Sequence, residues 1–203
     1  MSFYNFVRKA VLLYGKIVYR VEFHGRENEP EGGSLVVISN HSSFSDALFT
    51  ANAVKRELTF IAKESLARHK FLAWVLKRCH AITIKRGGGD MQAVRSACSV
   101  LSGGGSLGVY PQGTRMPGSD PKPEEAMAGI GLIASRCKAT FLPVTICFGK
   151  NKKFKPCAFG KVRVYVGKPI TYEEYSSINE HPNSHEIAEY AFSKVCEDFE
   201  RYN

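Results

Sequence analysis

The feature that most constrains the fold is an alternation of short apolar stretches with amphipathic ones along most of the 203-residue chain. The apolar stretches have the length of strands, and the segments between them place apolar residues at helical spacing. Parallel strands need a crossover connection, so this alternation favours a parallel sheet. The sequence predicts one α/β domain with a mostly parallel central sheet flanked by helices. The predicted strands are 21–25, 35–38, 58–62, 81–84, 107–110, 140–147 and 162–166, and the main predicted helices are 47–54, 71–76, 91–101, 126–136 and 184–201.

Composition limits the class of protein and the kind of partner. A hydrophobic content of 44% and a charged content of 23% fit one domain with a substantial core and exclude a disordered chain. The net charge of +9 favours an anionic partner, such as a nucleic acid, an acidic membrane surface or a phosphorylated substrate. Because no nucleic-acid-binding motif is present, we expect no nucleic acid partner. The six cysteines occur singly, which indicates reduced thiols in a cytosolic compartment and predicts no metal site.

Residues 1–19 form a separate predicted segment ahead of the domain at 20–203. Their apolar residues recur at helical spacing, but Arg8, Lys9 and Lys16 interrupt every run before the ~18 residues of a spanning helix. Two interpretations remain open at this point. One is a helix packed on the domain, and the other is an amphipathic helix lying in a membrane interface with its basic side chains at the headgroups.

His41 and Asp46 follow the predicted strand 35–38 at the point where the apolar run ends. Open α/β sheets place their chemistry at such strand ends. A histidine can accept a proton near neutral pH, and a nearby carboxylate can fix its tautomer and stabilise the imidazolium. The competing interpretation is that the polar residues around them only form a turn and a helix cap. These residues alone favour that second interpretation.

A second polar turn, 110–115, ends the predicted strand at 107–110. Its backbone N–H groups and Arg115 are suited to a phosphate. Lys63 and Arg86 follow two other predicted strands, so all these groups are expected at one sheet edge. The preceding residues 103–108 match G-x-G-x-x-G, but they end a helix and precede a strand, which is the wrong order for a dinucleotide site. No G-x-S-x-G sequence is present, which argues against a serine nucleophile.

Four motifs, in order, resemble those of the glycerolipid acyltransferases, whose best-known members acylate 1-acyl-glycerol-3-phosphate. Residues 40–46 resemble the N-H-x-x-x-x-D motif, and residues 110–115 resemble F/Y-P-E-G-T-R. Residues 81–86 are similar to the strand that ends in Arg, although its usual Gly and Asp are replaced. Residues 142–144 resemble the last motif. Order and spacing agree over roughly residues 20 to 170.

The resemblance implies a membrane-associated, monotopic enzyme at the cytoplasmic face, and it favours the interfacial interpretation of residues 1–19. Such an enzyme moves an acyl group from acyl-CoA or acyl-carrier protein to the free hydroxyl of a lysophospholipid, with no metal and no further cofactor. His41 would be the general base and Asp46 its orienting partner. The expected partners are an anionic membrane surface, the lysophospholipid acceptor and the thioester donor. The residues expected to bind substrate are Lys63, Arg86, Gln112, Gly113, Thr114 and Arg115.

Gln112 departs from the family pattern, which usually has Glu at this position. If that Glu acts through hydrogen bonds, Gln can replace it, and Gln112→Glu is then expected to retain activity on lysophosphatidate. If the charge matters, the acceptor would differ. Two alternatives therefore remain open: an acyltransferase for another lysophospholipid or an aminolipid, and a catalytically silent lipid-binding relative.

Overall fold

A computed structural model of the chain describes Tyr4, Arg8, Leu12, Leu13 and residues 20–68, 70–84, 91–148 and 161–203. In this part of the chain seven strands form one sheet in the order β1-β7-β6-β2-β5-β3-β4. All neighbours pair in parallel except β6 and β7, which are antiparallel. The predicted α/β fold with a mostly parallel sheet is confirmed. The strands are β1 (Glu22–His24), β2 (Leu35–Ser39), β3 (Leu58–Lys63), β4 (Ile82–Ile84), β5 (Ser106–Val109), β6 (Thr140–Cys147) and β7 (Arg163–Val166).

Helices connect most of the strands, and short 3₁₀ helices occupy Arg26–Asn28, Glu64–Arg68 and Pro123–Glu125. The α-helices are α1 (Asp46–Ala53), α2 (Lys70–Arg78), α3 (Met91–Ser102), α4 (Ala128–Cys137), α5 (Tyr172–Ser176) and α6 (Ser184–Tyr202). As predicted, glycines follow the end of α3, and Gly104 has a φ of +77° there. The sequence did not predict α5, because five residues are too few to show a helical period.

Strand β2 lies at the centre of the molecule and is buried on both faces. Val36 and Ile38 belong to the core beneath α3, α4 and α6, whereas Leu35 and Val37 belong to the core beneath α1. A strand covered on both faces reads as a continuous apolar run, which is why 35–38 shows no polar alternation. The two helical layers thus hold the end of β2 firmly, and the chain leaves that end directly into the His41 segment.

The described N-terminal residues contact the domain beside the connection between α1 and β3. Tyr4 is buried, and its hydroxyl oxygen accepts the Leu58 N–H at 3.0 Å. Arg8 donates to the carbonyl oxygens of Val54 at 2.6 Å and Lys55 at 2.8 Å. Most of the predicted amphipathic helix 1–19 lies outside the described residues, so its interfacial role stays a prediction. In the part of the chain described here, no helix has both the length and the apolar character needed to span a bilayer.

Candidate active site

His41 and Asp46 face each other across the turn between β2 and α1. His41 Nδ1 lies 2.9 Å from Asp46 Oδ2. The Asp46 side chain is fully buried, while 19% of the His41 side chain is exposed. Because a carboxylate accepts hydrogen bonds, Nδ1 is the protonated ring nitrogen in this arrangement. The unprotonated Nε2 is therefore the nitrogen that can take a proton from a substrate hydroxyl.

The Asp46 carboxylate orders the whole turn. Its Oδ2 also accepts the backbone N–H groups of Ser42 at 2.6 Å and Ser43 at 2.7 Å. Burial raises the pKa of Asp46 above its ordinary value, while the hydrogen bonds from His41 and the two serine N–H groups oppose that rise. These donors precede α1, and the N-cap Ser45 makes no side-chain capping bond. The carboxylate thus holds the turn and His41 together and does not cap the helix, so these residues do more than form a turn and a cap.

Asn40 fixes the end of β2 to β6. Its Nδ2 donates to the Ile146 carbonyl at 3.0 Å, and its Oδ1 accepts the Ile146 N–H at 2.8 Å. Asn40 is buried, with only 2% of the residue exposed. Sequence analysis included Asn40 in the first motif but gave it no role. The two hydrogen bonds of its side-chain amide extend the pairing of β2 with β6 by one residue and so determine where His41 leaves the sheet.

The turn after β5 makes two hydrogen bonds to the backbone of His41. The His41 N–H donates to Gln112 Oε1 at 2.9 Å, and the Met116 N–H donates to the His41 carbonyl at 2.7 Å. Gly113 has a φ of +64°, and its N–H closes the turn on the Tyr110 carbonyl at 2.9 Å. Residues other than glycine rarely adopt this backbone conformation. Gly113 thus shapes the loop, and the two motifs form one unit around His41.

Tyr110 supports the imidazole from one side. Its ring stacks on His41 with centroids 4.1 Å apart and an interplanar angle of 17°. The hydroxyl is 3.1 Å from Thr50 Oγ1, on α1. Burial raises the pKa of Tyr110 well above its ordinary value, and the nearby Asp46 charge adds to the rise. The phenol therefore stays neutral. Sequence analysis gave Tyr110 no role, and its place at the start of the second motif was the available signal.

The structure brings some of the predicted phosphate-binding residues to the site. Arg115 is exposed, and its guanidinium lies 3.5 Å from the ring centre of Phe44, inside the first motif. Such stacking favours one direction for the cation. Thr114 is exposed beside it. Lys63 ends β3, two strands from β2 at the same sheet edge, and is exposed. Arg86 lies outside the described residues.

A carboxylate that the sequence did not single out completes this network. Gln112 Nε2 donates to Glu125 Oε2 at 2.7 Å. Glu125 ends the 3₁₀ helix Pro123–Glu125, in the connector between the second motif and α4. No local pattern marks it, because a glutamate in a Pro-rich connector is ordinarily a solvated surface residue. Within the described ranges, this site included, no group of three or more His, Cys, Asp or Glu side chains is placed to bind a metal ion.

The chain is similar in sequence to known proteins. Residues 20–147 match the protein family described as Acyltransferase. A relative from Bacillus subtilis, named 1-acyl-sn-glycerol-3-phosphate acyltransferase, is 23% identical over 178 residues, which cover 86% of each chain. A relative of the same name from Borreliella burgdorferi is 28% identical over 150 residues, covering 70% of this chain but 57% of the relative.

A solved structure shares the fold over almost the whole chain. It is the crystal structure of the 1-acyl-sn-glycerophosphate (LPA) acyltransferase PlsC from Thermotoga maritima. The TM-score is 0.71 at 24% sequence identity, and the match covers 97% of this chain and 80% of that one. The similarity extends beyond the matched family region to the C-terminal helices.

Proposed function

Because this chain belongs to the acyltransferase family, we propose that it moves a fatty acyl group from acyl-CoA or acyl-carrier protein to the free hydroxyl of 1-acyl-glycerol-3-phosphate, giving phosphatidic acid. The names of the two relatives support this acceptor. The observation that most directly supports the mechanism is the 2.9 Å contact between His41 Nδ1 and the buried Asp46 carboxylate. It leaves Nε2 as a base on a partly exposed ring.

In the proposed reaction His41 Nε2 takes the proton of the acceptor hydroxyl as its oxygen attacks the thioester carbonyl carbon. The carbonyl π electrons move to oxygen, and a tetrahedral intermediate forms. When it collapses, the carbon–sulfur bond breaks and the leaving sulfur takes the proton from the imidazolium. The products are the new ester and the free thiol. The Asp46 charge stabilises the imidazolium between the two proton transfers.

The acceptor phosphate is proposed to bind at the basic side of this edge. Arg115 is held by Phe44 next to the turn that contains His41, and its planar donors suit a phosphate. Gly113 and Thr114 would shape this loop, and Lys63 and Arg86 would add positive charge. The sequence also predicts Gln112 as an acceptor contact, but both ends of its amide are engaged within the protein.

Membrane association is proposed as well, with an anionic surface as the partner at the cytoplasmic face. The net charge of +9 supports attraction to such a surface, and Phe44 is 61% exposed beside the proposed site. Residues 1–19 are the proposed interfacial segment. Sedimentation with phosphatidylglycerol vesicles should deplete the protein from solution, and rising salt should reverse this. Equal binding to uncharged phosphatidylcholine vesicles would contradict an electrostatic partner.

The test of the proposed function is thiol release by wild type and His41→Ala. Donors are acyl-CoA and acyl-carrier protein, and acceptors are lysophosphatidate and a lysophospholipid with a larger head group. Loss of the base should lower kcat by about 10²–10⁴-fold. The exposed His181 offers a matched control, and His181→Ala should retain wild-type activity. An unchanged rate in His41→Ala would refute the mechanism. Turnover with the other acceptor alone would refute the proposed substrate.

A further inference from the structure

The side chain of Gln112 connects the backbone of His41 to the carboxylate of Glu125. Its Oε1 accepts the His41 N–H at 2.9 Å, and its Nε2 donates to Glu125 Oε2 at 2.7 Å. Both partners fix the orientation of the amide, since a backbone N–H only donates and a carboxylate only accepts. Position 112 must therefore present an acceptor on one side and a donor on the other.

Glu125 is itself tied to the turn that follows β5. Its N–H donates to the Lys122 carbonyl at 3.1 Å, which closes the 3₁₀ helix. Two residues later, the Met127 N–H donates to the Pro111 carbonyl at 3.1 Å. The carboxylate thus belongs to a segment that is hydrogen-bonded to the residue directly before Gln112. It has a fixed position from which to hold the amide.

A glutamate at position 112 would meet this carboxylate. It would lose the donor that Glu125 accepts and would place two like charges within hydrogen-bonding distance. Such a pair favours binding of a proton by one of its members and raises the pKa of the pair. The sequence alone led to the expectation that Gln112→Glu retains activity, but the contact with Glu125 reverses that expectation near neutral pH.

We propose that Glu125 is a positioning residue for acyl transfer, which fixes the His41 backbone through Gln112 and makes Gln the residue that position 112 requires. The kinetic part of this inference rests on the proposed function, whereas the pairing of the two side chains does not. Both ends of the Gln112 amide are engaged within the protein, so its main task is to hold His41.

The test is an exchange of the two side chains. The single variants are Gln112→Glu and Glu125→Gln, and the double variant combines them. The double variant keeps the net charge and restores an acid–amide pair, in which the carboxylate at 112 accepts from His41 and from the new amide. Among the hydrogen bonds of the described residues, the double variant loses the long 3.4 Å bond from the Lys122 N–H to Glu125 Oε2. Glu124→Gln, at the exposed neighbouring position on the same 3₁₀ helix, is the matched control.

At pH 8 we expect Gln112→Glu to lower kcat by about 10–100-fold, as for a small displacement of a catalytic group, with KM for the acceptor within about twofold. At low pH, protonation of one carboxyl group removes the repulsion between the two glutamates, and the repulsion returns as pH rises. The activity of this variant relative to wild type should therefore increase from pH 8 to pH 6. The double variant should return to within about threefold of wild type. The control should match wild type throughout.

Several results would overturn the inference. Gln112→Glu could keep the wild-type kcat at pH 8, or the double variant could be no more active than Gln112→Glu. A raised KM with unchanged kcat would mean that Gln112 contacts the acceptor instead. If wild type itself fails to acylate lysophosphatidate, the proposed function fails. Urea unfolding of the same four proteins and wild type then still tests the pair, because additive effects of the two substitutions would refute it.

Discussion

Asp46→Asn tests the proposed role of the Asp46 charge, which is to stabilise protonated His41, while it leaves the orientation of His41 in place. The new amide oxygen can occupy the place of Oδ2 and accept the same three donors, from the His41 ring and from the Ser42 and Ser43 N–H groups. The amide nitrogen then takes the place of Oδ1. That oxygen is buried, and it has no hydrogen-bond partner within the described residues. The substitution therefore keeps the shape of the turn and removes its negative charge.

The expected loss of rate follows from the contact distance. Charge centres ~4 Å apart interact by about 4 kcal/mol at an effective dielectric constant of ~20. Each ~1.4 kcal/mol on the barrier changes the rate tenfold, so full loss of this attraction would cost about 10³-fold. In the proposed mechanism the imidazolium is only partly formed in the transition state. We therefore expect kcat to fall by about 10²–10³-fold, while KM for the acceptor changes little.

The stability of the fold should change much less, and with a defined pH dependence. A buried amide without a partner costs about 1–3 kcal/mol, but removing a buried charge offsets part of this. Burial raises the pKa of Asp46, so the wild-type carboxyl favours folding most at low pH and loses that contribution as pH rises through its folded pKa. The variant lacks this titration. Its deficit in unfolding free energy should shrink from about pH 4 to pH 7.

Thiol release with lysophosphatidate and urea unfolding at the two pH values measure both effects. Asp198→Asn is a matched control, because burial also raises the pKa of Asp198, on α6. It should leave kcat unchanged. A kcat for Asp46→Asn within about threefold of wild type would refute the role assigned to the charge. A stability deficit that widens from pH 4 to pH 7 would refute the assigned direction of the pKa shift.

Two further predictions concern the support of His41. Asn40→Ala removes both bonds to the buried Ile146 backbone and should cost about 3 kcal/mol in urea unfolding; a loss below about 1 kcal/mol would contradict the role of Asn40. Gly108→Ala places a Cβ 2.5 Å from Phe60 Cε1, and the Phe60 ring lies parallel to the Tyr110 ring. The substitution should therefore lower the free energy of unfolding by about 1–3 kcal/mol and also lower kcat. Gly129→Ala, where an added Cβ meets no atom within 4 Å, should do neither, and equal effects at both glycines would refute the packing argument.

Much of the fold could be predicted because its apolar pattern is local. The run 35–38 is apolar without alternation, as expected for β2 buried on both faces, whereas 21–25 alternates and forms the edge strand β1. The direction of β7 could not be predicted in this way. Its four residues alternate between partly and fully buried, and that pattern is the same for a parallel and an antiparallel neighbour.

The candidate site was predictable only where its residues follow strands. His41 and the 110–115 turn follow β2 and β5, and Lys63 is the last residue of β3, so a parallel sheet brings them to one edge. Glu125 follows no strand. It reaches the site through the connector after the second motif, and its contact with Gln112 depends on tertiary structure that has no local sequence pattern. The catalytic and binding roles of these residues stay predictions until they are assayed.

The register of β2 and β5 explains why two motifs far apart in the chain meet at His41. Ile38 pairs with Val109 across the parallel ladder, a separation of 71 residues. His41 and Gln112 lie three residues further along each strand direction and have the same separation of 71. The hydrogen bond between them therefore continues the ladder after the strands end, with the Gln112 side chain in place of a backbone carbonyl. A one-residue shift in this register would move the two loops apart, so the same apolar residues that fix β2 against β5 also fix the position of His41.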